Sequence, residues 1–174
     1  MPFEFRNLDW MTRRYMIEEI EAAERNDNLY FSKRFNSAGI ALWPVLLIEA
    51  AKSYNEHWLA YQLEIRGLMK GMESGRILLS LYTVKHIPDA AVETISEGQF
   101  NRYYILGLCR RALAVGITKV IVYRAKEVRD ARPGTEQLIG SIINPSELIE
   151  QVRPRQLSLG HILLRPNSGL SIRI

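Results

Sequence analysis

Residues 97–128 read EGQFNRYYILGLCRRALAVGITKVIVYRAKEV, and the two halves of this stretch differ in period. In the first half Phe100, Tyr104, Leu108 and Ala112 recur every four residues, the spacing of one helical face. Gly116 is a helix stop. In the second half, 118–128, Val120 and Val122 share one face with Arg124 and Lys126, while Ile121, Tyr123 and Ala125 share the other. That pattern predicts a strand that starts buried on both faces and emerges at its basic end. A strand directly after a helix packs against it. The stretch is therefore a basic helix–strand unit, and the expected fold class is α/β in the α+β sense: a helical N-terminal cluster packed with a small sheet.

Working upstream, Pro88 and Asp89 start a first helical segment, AAVETISEG, and the stronger helix follows after Gly98. ILLSLYTVKHI at 77–87 is rich enough in β-formers for a strand. RGLMKGMESG at 66–75 carries three glycines without periodicity and reads as a loop or arm. Before it lie three helices. Asp9 caps the first, which runs to about Asn26 with Met11, Tyr15, Ile17 and Ile20 as its apolar stripe and Glu18, Glu19, Glu21 and Glu24 as its wet side. Asn36 or Ser37 caps the second, where Pro44 either kinks the helix or marks its start. Asn55 caps the third, with Trp58, Leu59 and Leu63 facing inward. Downstream, Asn144, Pro145 and Glu147 form a helix start, and Leu170–Ile174 reads as a short closing strand after a turn at Pro166 to Gly169. The organisation expected is one domain over 1–174, with a helical part (1–65), a loop or arm (66–76) and a mixed part (77–174).

A chain of 174 residues with 47% hydrophobic and 24% charged residues can bury a sufficient core without disulfide or metal. Cys109 is the only cysteine, so no internal disulfide and no paired-cysteine zinc site is possible. No secretory signal and no membrane span are read, and a cytoplasmic setting is expected. The net charge of +4 is uneven: residues 101–174 hold 12 Lys/Arg against 5 Asp/Glu, and residues 1–100 hold 11 against 14. Such asymmetry suits a nucleic-acid surface, head-to-tail association between copies, or two solvated faces.

Chemistry is thin. HExxH, GxSxG, GxxxxGK[ST] and GxGxxG are all missing, and the three histidines, His57, His86 and His161, sit in separate segments. Cys109 falls on an apolar face, the usual place of a small buried hydrophobe. Glu93 and Glu97 near Arg102, or Lys126 with Glu127, are the sets a metal-dependent nuclease would use, but Lys126 and Glu127 point to opposite faces of a strand. No catalytic residue, cofactor or metal is expected. The candidate site is instead a shared basic surface of Arg102, Tyr103, Arg110, Arg111, Arg124, Lys126, Arg129 and Arg132, fit for a protein interface or for nucleic acid. The competing reading places Phe100, Tyr104, Leu108 and Ala112 in the core and leaves the arginines wet.

Four segments carry a resemblance: EGQFNRYYILGLCRRAL, VYRAKEVRDARP, LIGSIINPSELI and the terminal PNSGLSIRI. Together they resemble a group of uncharacterised bacterial and prophage proteins, some associated with tailed-phage head genes. The likeness covers Glu97–Ile174; the N-terminal helices match loosely. It implies a phage-like structural context and supplies no catalytic residues. The expected function is thus a non-enzymatic assembly protein, such as a phage virion or capsid-associated component, with other protein subunits as partners and no membrane. The alternatives are a nucleic-acid-binding protein and a metal-dependent nuclease.

Overall fold

The computed structural model of the chain describes residues 2–76, 82–86, 90–129, 131, 133–154 and 162–174. Six helices are described: α1 Trp10–Arg25, α2 Ser37–Ser53, α3 Glu56–Ile65, α4 Ala90–Ala114, α5 Thr135–Leu138 and α6 Pro145–Val152. Five strands accompany them: β1 Met72–Arg76, β2 Tyr82–His86, β3 Val120–Arg124, β4 Ile142–Ile143 and β5 Leu170–Arg173. β3 is the middle of a three-stranded antiparallel sheet ordered β4-β3-β5, and β1 and β2 form a separate antiparallel pair. The fold is α+β, helices packed against a small sheet.

The helix starts follow local chemistry. The Asp9 carboxylate accepts from the Met11 and Thr12 amides, Asn36 from Gly39, Asn55 from Trp58 and Asn144 from Ser146. Each satisfies a donor that the first turn leaves without an intrahelical acceptor. Pro44 lies inside α2, two turns from its start.

Helix α4 is the axis of the molecule. α1, α3, α6 and β5 all pack on it, and every residue from Phe100 to Cys109 is buried. Phe100, Tyr104, Leu108 and Ala112 belong to one hydrophobic cluster that runs from Met16 in α1 through Trp43, Leu47, Leu59 and Leu63 to Leu148, Leu170 and Ile172. α1 crosses α4 at Gly107. A Cβ there would stand 2.7 Å from Met16 Cγ and 2.8 Å from the Thr12 carbonyl oxygen, so only a hydrogen lets the two backbones approach this closely.

Several expectations change. The break at Gly98 does not occur: α4 is one helix of 25 residues, because packing on all sides carries the chain past a weak helix former. The α1 stripe is displaced: Thr12, Met16, Glu19 and Ile20 are buried, and Glu19 is not on the wet side, because ion partners receive it inside. The expected arm is in part a strand, since Met72–Arg76 pairs with Tyr82–His86 in register from Met72↔His86 to Arg76↔Tyr82. Of the expected strand at 77–87, residues 77–81 and 87 lie outside the described residues.

The base of this ribbon is fastened to the segment between α1 and α2. Phe35 and Met69 form an antiparallel bridge, and the Lys70 amide donates to the Arg34 carbonyl at 2.8 Å. In the three-stranded sheet Gly169, at φ +62°, turns the chain into β5, where a Cβ would meet the Lys126 carbonyl oxygen at 2.3 Å.

Candidate functional site

The basic residues singled out in the sequence are distributed among different partners. Arg102 is only 2% exposed. Its Nε donates to the Val152 carbonyl at 3.1 Å, and its Nη2 donates to the Arg153 carbonyl at 3.3 Å and to that of Pro154. These carbonyls end α6 and have no intrahelical donor, so a guanidinium held there caps the helix and meets the negative end of its dipole. Burial lowers the Arg102 pKa from its ordinary value. Tyr103 is also 2% exposed, and burial pushes its hydroxyl up to about 12. Neither residue can present itself to a partner from this fold. Both belong to the stretch of α4 that has no wet side.

The rest of the set divides. Arg110 Nη2 lies 2.9 Å from Glu18 Oε2 and Nη1 3.5 Å from Glu19 Oε1, with the guanidinium 4.7 Å from the Tyr15 ring centre. Arg111 pairs with the Asp9 carboxylate and donates to Thr12 Oγ1 at 3.1 Å. Arg124 donates to the Ser168 carbonyl at 2.8 Å and pairs with Glu136. Lys126 pairs with Glu97. Arg129 is exposed, and Arg132 lies outside the described residues. The expected single basic surface is therefore not assembled: Arg102 faces α6, Arg110 and Arg111 face α1, Arg124 faces α5 and the turn before β5, and Lys126 faces α4. The physical reason is that acids and free carbonyls brought in by other elements reach these cations before solvent does.

Buried polar groups follow the same pattern. Asn101 Nδ2 donates to the Leu170 carbonyl at 2.9 Å, and its Oδ1 accepts from Ser171 Oγ at 2.7 Å. Glu19 receives Arg153 in a two-pronged contact at 2.9 and 3.1 Å, which raises the Arg153 pKa. Glu56 differs. Its Oε1 accepts from the Phe3 amide at 2.8 Å, but among the described residues its buried Oε2 finds no hydrogen-bond partner. Burial, and to a lesser degree the charge of Glu97, raise the Glu56 pKa, against the pull of the Phe3 amide and of His57.

Among the described residues, the juxtaposition a nuclease would use is Glu97 with Lys126, in a cleft also lined by Phe3, Asn101, Leu163 and Gly169. Glu93 and Glu127 are exposed, and among the described residues no three His, Cys, Asp or Glu side chains are grouped to hold a metal. Cys109 is fully buried and its thiol is pushed up to about 12, so it is held as a neutral thiol.

Two surfaces escaped the sequence reading. Trp10, at the first position of α1, is 70% exposed and lines an open groove with Arg13, Arg14, Ile17, Glu18 and Lys52. Ile142, on edge strand β4, is 62% exposed, with Ile139 at 40% just before it. Apolar side chains left outside the periodic core pattern were the available signal, but a tryptophan at a helix start and a two-residue strand are too short to show a period.

By architecture the chain belongs among α+β proteins that set a three-stranded antiparallel sheet against a central helix. Comparison with known proteins goes no further: no family model, no curated protein and no solved structure matches it. Among the described residues no helix is long and apolar enough to cross a membrane.

Proposed function

We propose that this protein is a non-enzymatic binding or assembly protein, and in the finer form a phage virion or capsid-associated component working beside other subunits in the cytoplasm or the virion. The observation that carries the reading is the β1–β2 ribbon. It is a separate two-stranded sheet fastened at its base by the Phe35–Met69 bridge, and among the described residues no third strand pairs with it. Two strands alone are marginal in water, and open ribbon edges are templates for a strand from another chain. The phage setting is supported by the resemblance over Glu97–Ile174 and stands or falls separately.

The nucleic-acid alternative draws less support. Arg102, Arg110, Arg111, Arg124 and Lys126 are engaged within the fold, and a phosphate would have to displace those partners.

Light scattering on the full chain across a concentration series tests the reading. The expected result is a mass above that of one chain, reduced by Ser74→Pro, which breaks the ribbon ladder at its middle pair with Val84. A single-chain mass at every concentration overturns it.

A further inference from the structure

The groove at Trp10 and the edge at β4 carry opposite charge beside matching apolar groups. The groove is lined by Trp10, Ile17, Arg13, Arg14, Glu18 and Lys52. Arg13 is committed: its Nη1 donates to the carbonyls of Ala51 at 2.8 Å, Tyr54 at 3.0 Å and Ala50 at 3.3 Å, capping the end of α2. Glu18 is likewise held, by Arg14 at 3.1 Å and Arg110 at 2.9 Å. Arg14 keeps 65% of its side chain exposed even so, and Lys52 is exposed. The groove therefore offers an indole with two solvent-exposed cations, Lys52 and the Glu18-paired Arg14.

The β4 edge is the converse. Residues 133–151 contain Glu136, Glu147 and Glu150 and no lysine or arginine. Glu136 stays 71% exposed despite its contact with Arg124, and Glu147 is exposed. Between them in sequence stand Ile139 and Ile142, and β4 is the outer strand of its sheet. In sequence this edge sets two exposed isoleucines between two exposed carboxylates, Glu147 and the Arg124-paired Glu136.

We infer that the β4 edge of one copy docks in the α1–α2 groove of a second copy, seating Ile142 beside Trp10 with Glu136 and Glu147 against Arg14 and Lys52. The inference rests on the assembly reading above and adds to the ribbon a second contact between copies. Charge argues for a second copy over another partner, because both complementary halves are present on one chain. The two surfaces lie on different elements, so the contact is made either twice across a two-fold axis or once per copy in a ring or filament. Its polar rim makes it sensitive to ionic strength.

A charge-exchange experiment on the full chain decides it. One variant carries Arg14→Glu with Lys52→Glu, the other Glu136→Lys with Glu147→Lys, and association is read by light scattering. Each variant alone is expected to associate about tenfold or more weakly than the unaltered chain. An equimolar mixture is expected to recover, because each acidic groove then meets a basic edge and each acidic edge a basic groove. Trp10→Ala and Ile142→Ser, which change no charge, are each expected to weaken association on their own. If the unaltered chain assembles and neither the charge reversals nor the two apolar substitutions matter, this interface is wrong and the ribbon still carries the assembly reading. A mixture that fails to recover while both variants keep the melting profile of the unaltered chain also overturns the interface. An unaltered chain that never associates overturns both proposals.

Discussion

Helix α4 and the outer face of α1 and α2 both set arginines near aromatic rings, and the two regions use them in opposite ways. On α4, Arg102 reaches three carbonyls at the end of α6, and Arg110 and Arg111 reach acids of the α1 region. On the outer face, Arg14 and Lys52 remain largely in solvent beside an exposed Trp10. Among the described residues, most of the cations singled out in the more positive half are engaged inside the fold. Charge along a sequence becomes a surface property only after the interior acids and helix ends have taken their share.

Four variants sharpen or break this contrast. The largest effect is expected from Arg102→Met. It fills much of the same volume but leaves the α6 carbonyls without a donor, at a cost of about 3 kcal/mol. Urea unfolding reads it, and a loss below about 1 kcal/mol would put Arg102 in the same class as a surface arginine. Gly107→Val comes next. Forcing α1 off α4 costs about 2–3 kcal/mol by overpacking, measured the same way, with a lowered melting temperature.

Glu56→Gln is smaller and depends on pH. Burial raises the Glu56 pKa in the folded chain, so folding takes up a proton there. The stability this group contributes is therefore present below the ordinary carboxylate range and lost as pH rises through the raised folded value. Glutamine removes that loss and keeps an acceptor for the Phe3 amide. The variant is expected to gain about 1 kcal/mol over the unaltered chain at neutral pH, with the difference closing toward about pH 4. Parallel unfolding curves at the two pH values check it. The smallest effect falls to Arg14→Ala with Lys52→Ala, which should leave the stability of the single chain within about 0.5 kcal/mol while weakening its self-association. A larger stability loss would show that the groove is held together by these cations and is not waiting for a partner.

What was legible in the sequence is what is decided locally. The caps Asp9, Asn36, Asn55 and Asn144 act within three residues of themselves, and so they read directly. The four-residue spacing from Phe100 to Ala112 gave the core face of α4 for the same reason. Glu19 and Arg102 were illegible because their partners are distant: Arg153 lies 134 residues beyond Glu19, and the carbonyls that hold Arg102 lie 50 to 52 residues beyond it. A backbone carbonyl at a helix end has no side-chain signature at all. Gly98 misled for a related reason: its cost to the helix is about 1 kcal/mol, and the packing that outweighs it comes from α1, α3 and α6.

Glu19 also binds the unfolding of three segments into one event. Its carboxylate joins α1 to Arg110 on α4 and to Arg153 at the end of α6, so none of the three can swing out without stranding a charge in the protein interior. Amide protons deep in these helices then exchange with solvent through a shared opening, at one common rate-limiting free energy, while the ribbon opens on its own schedule.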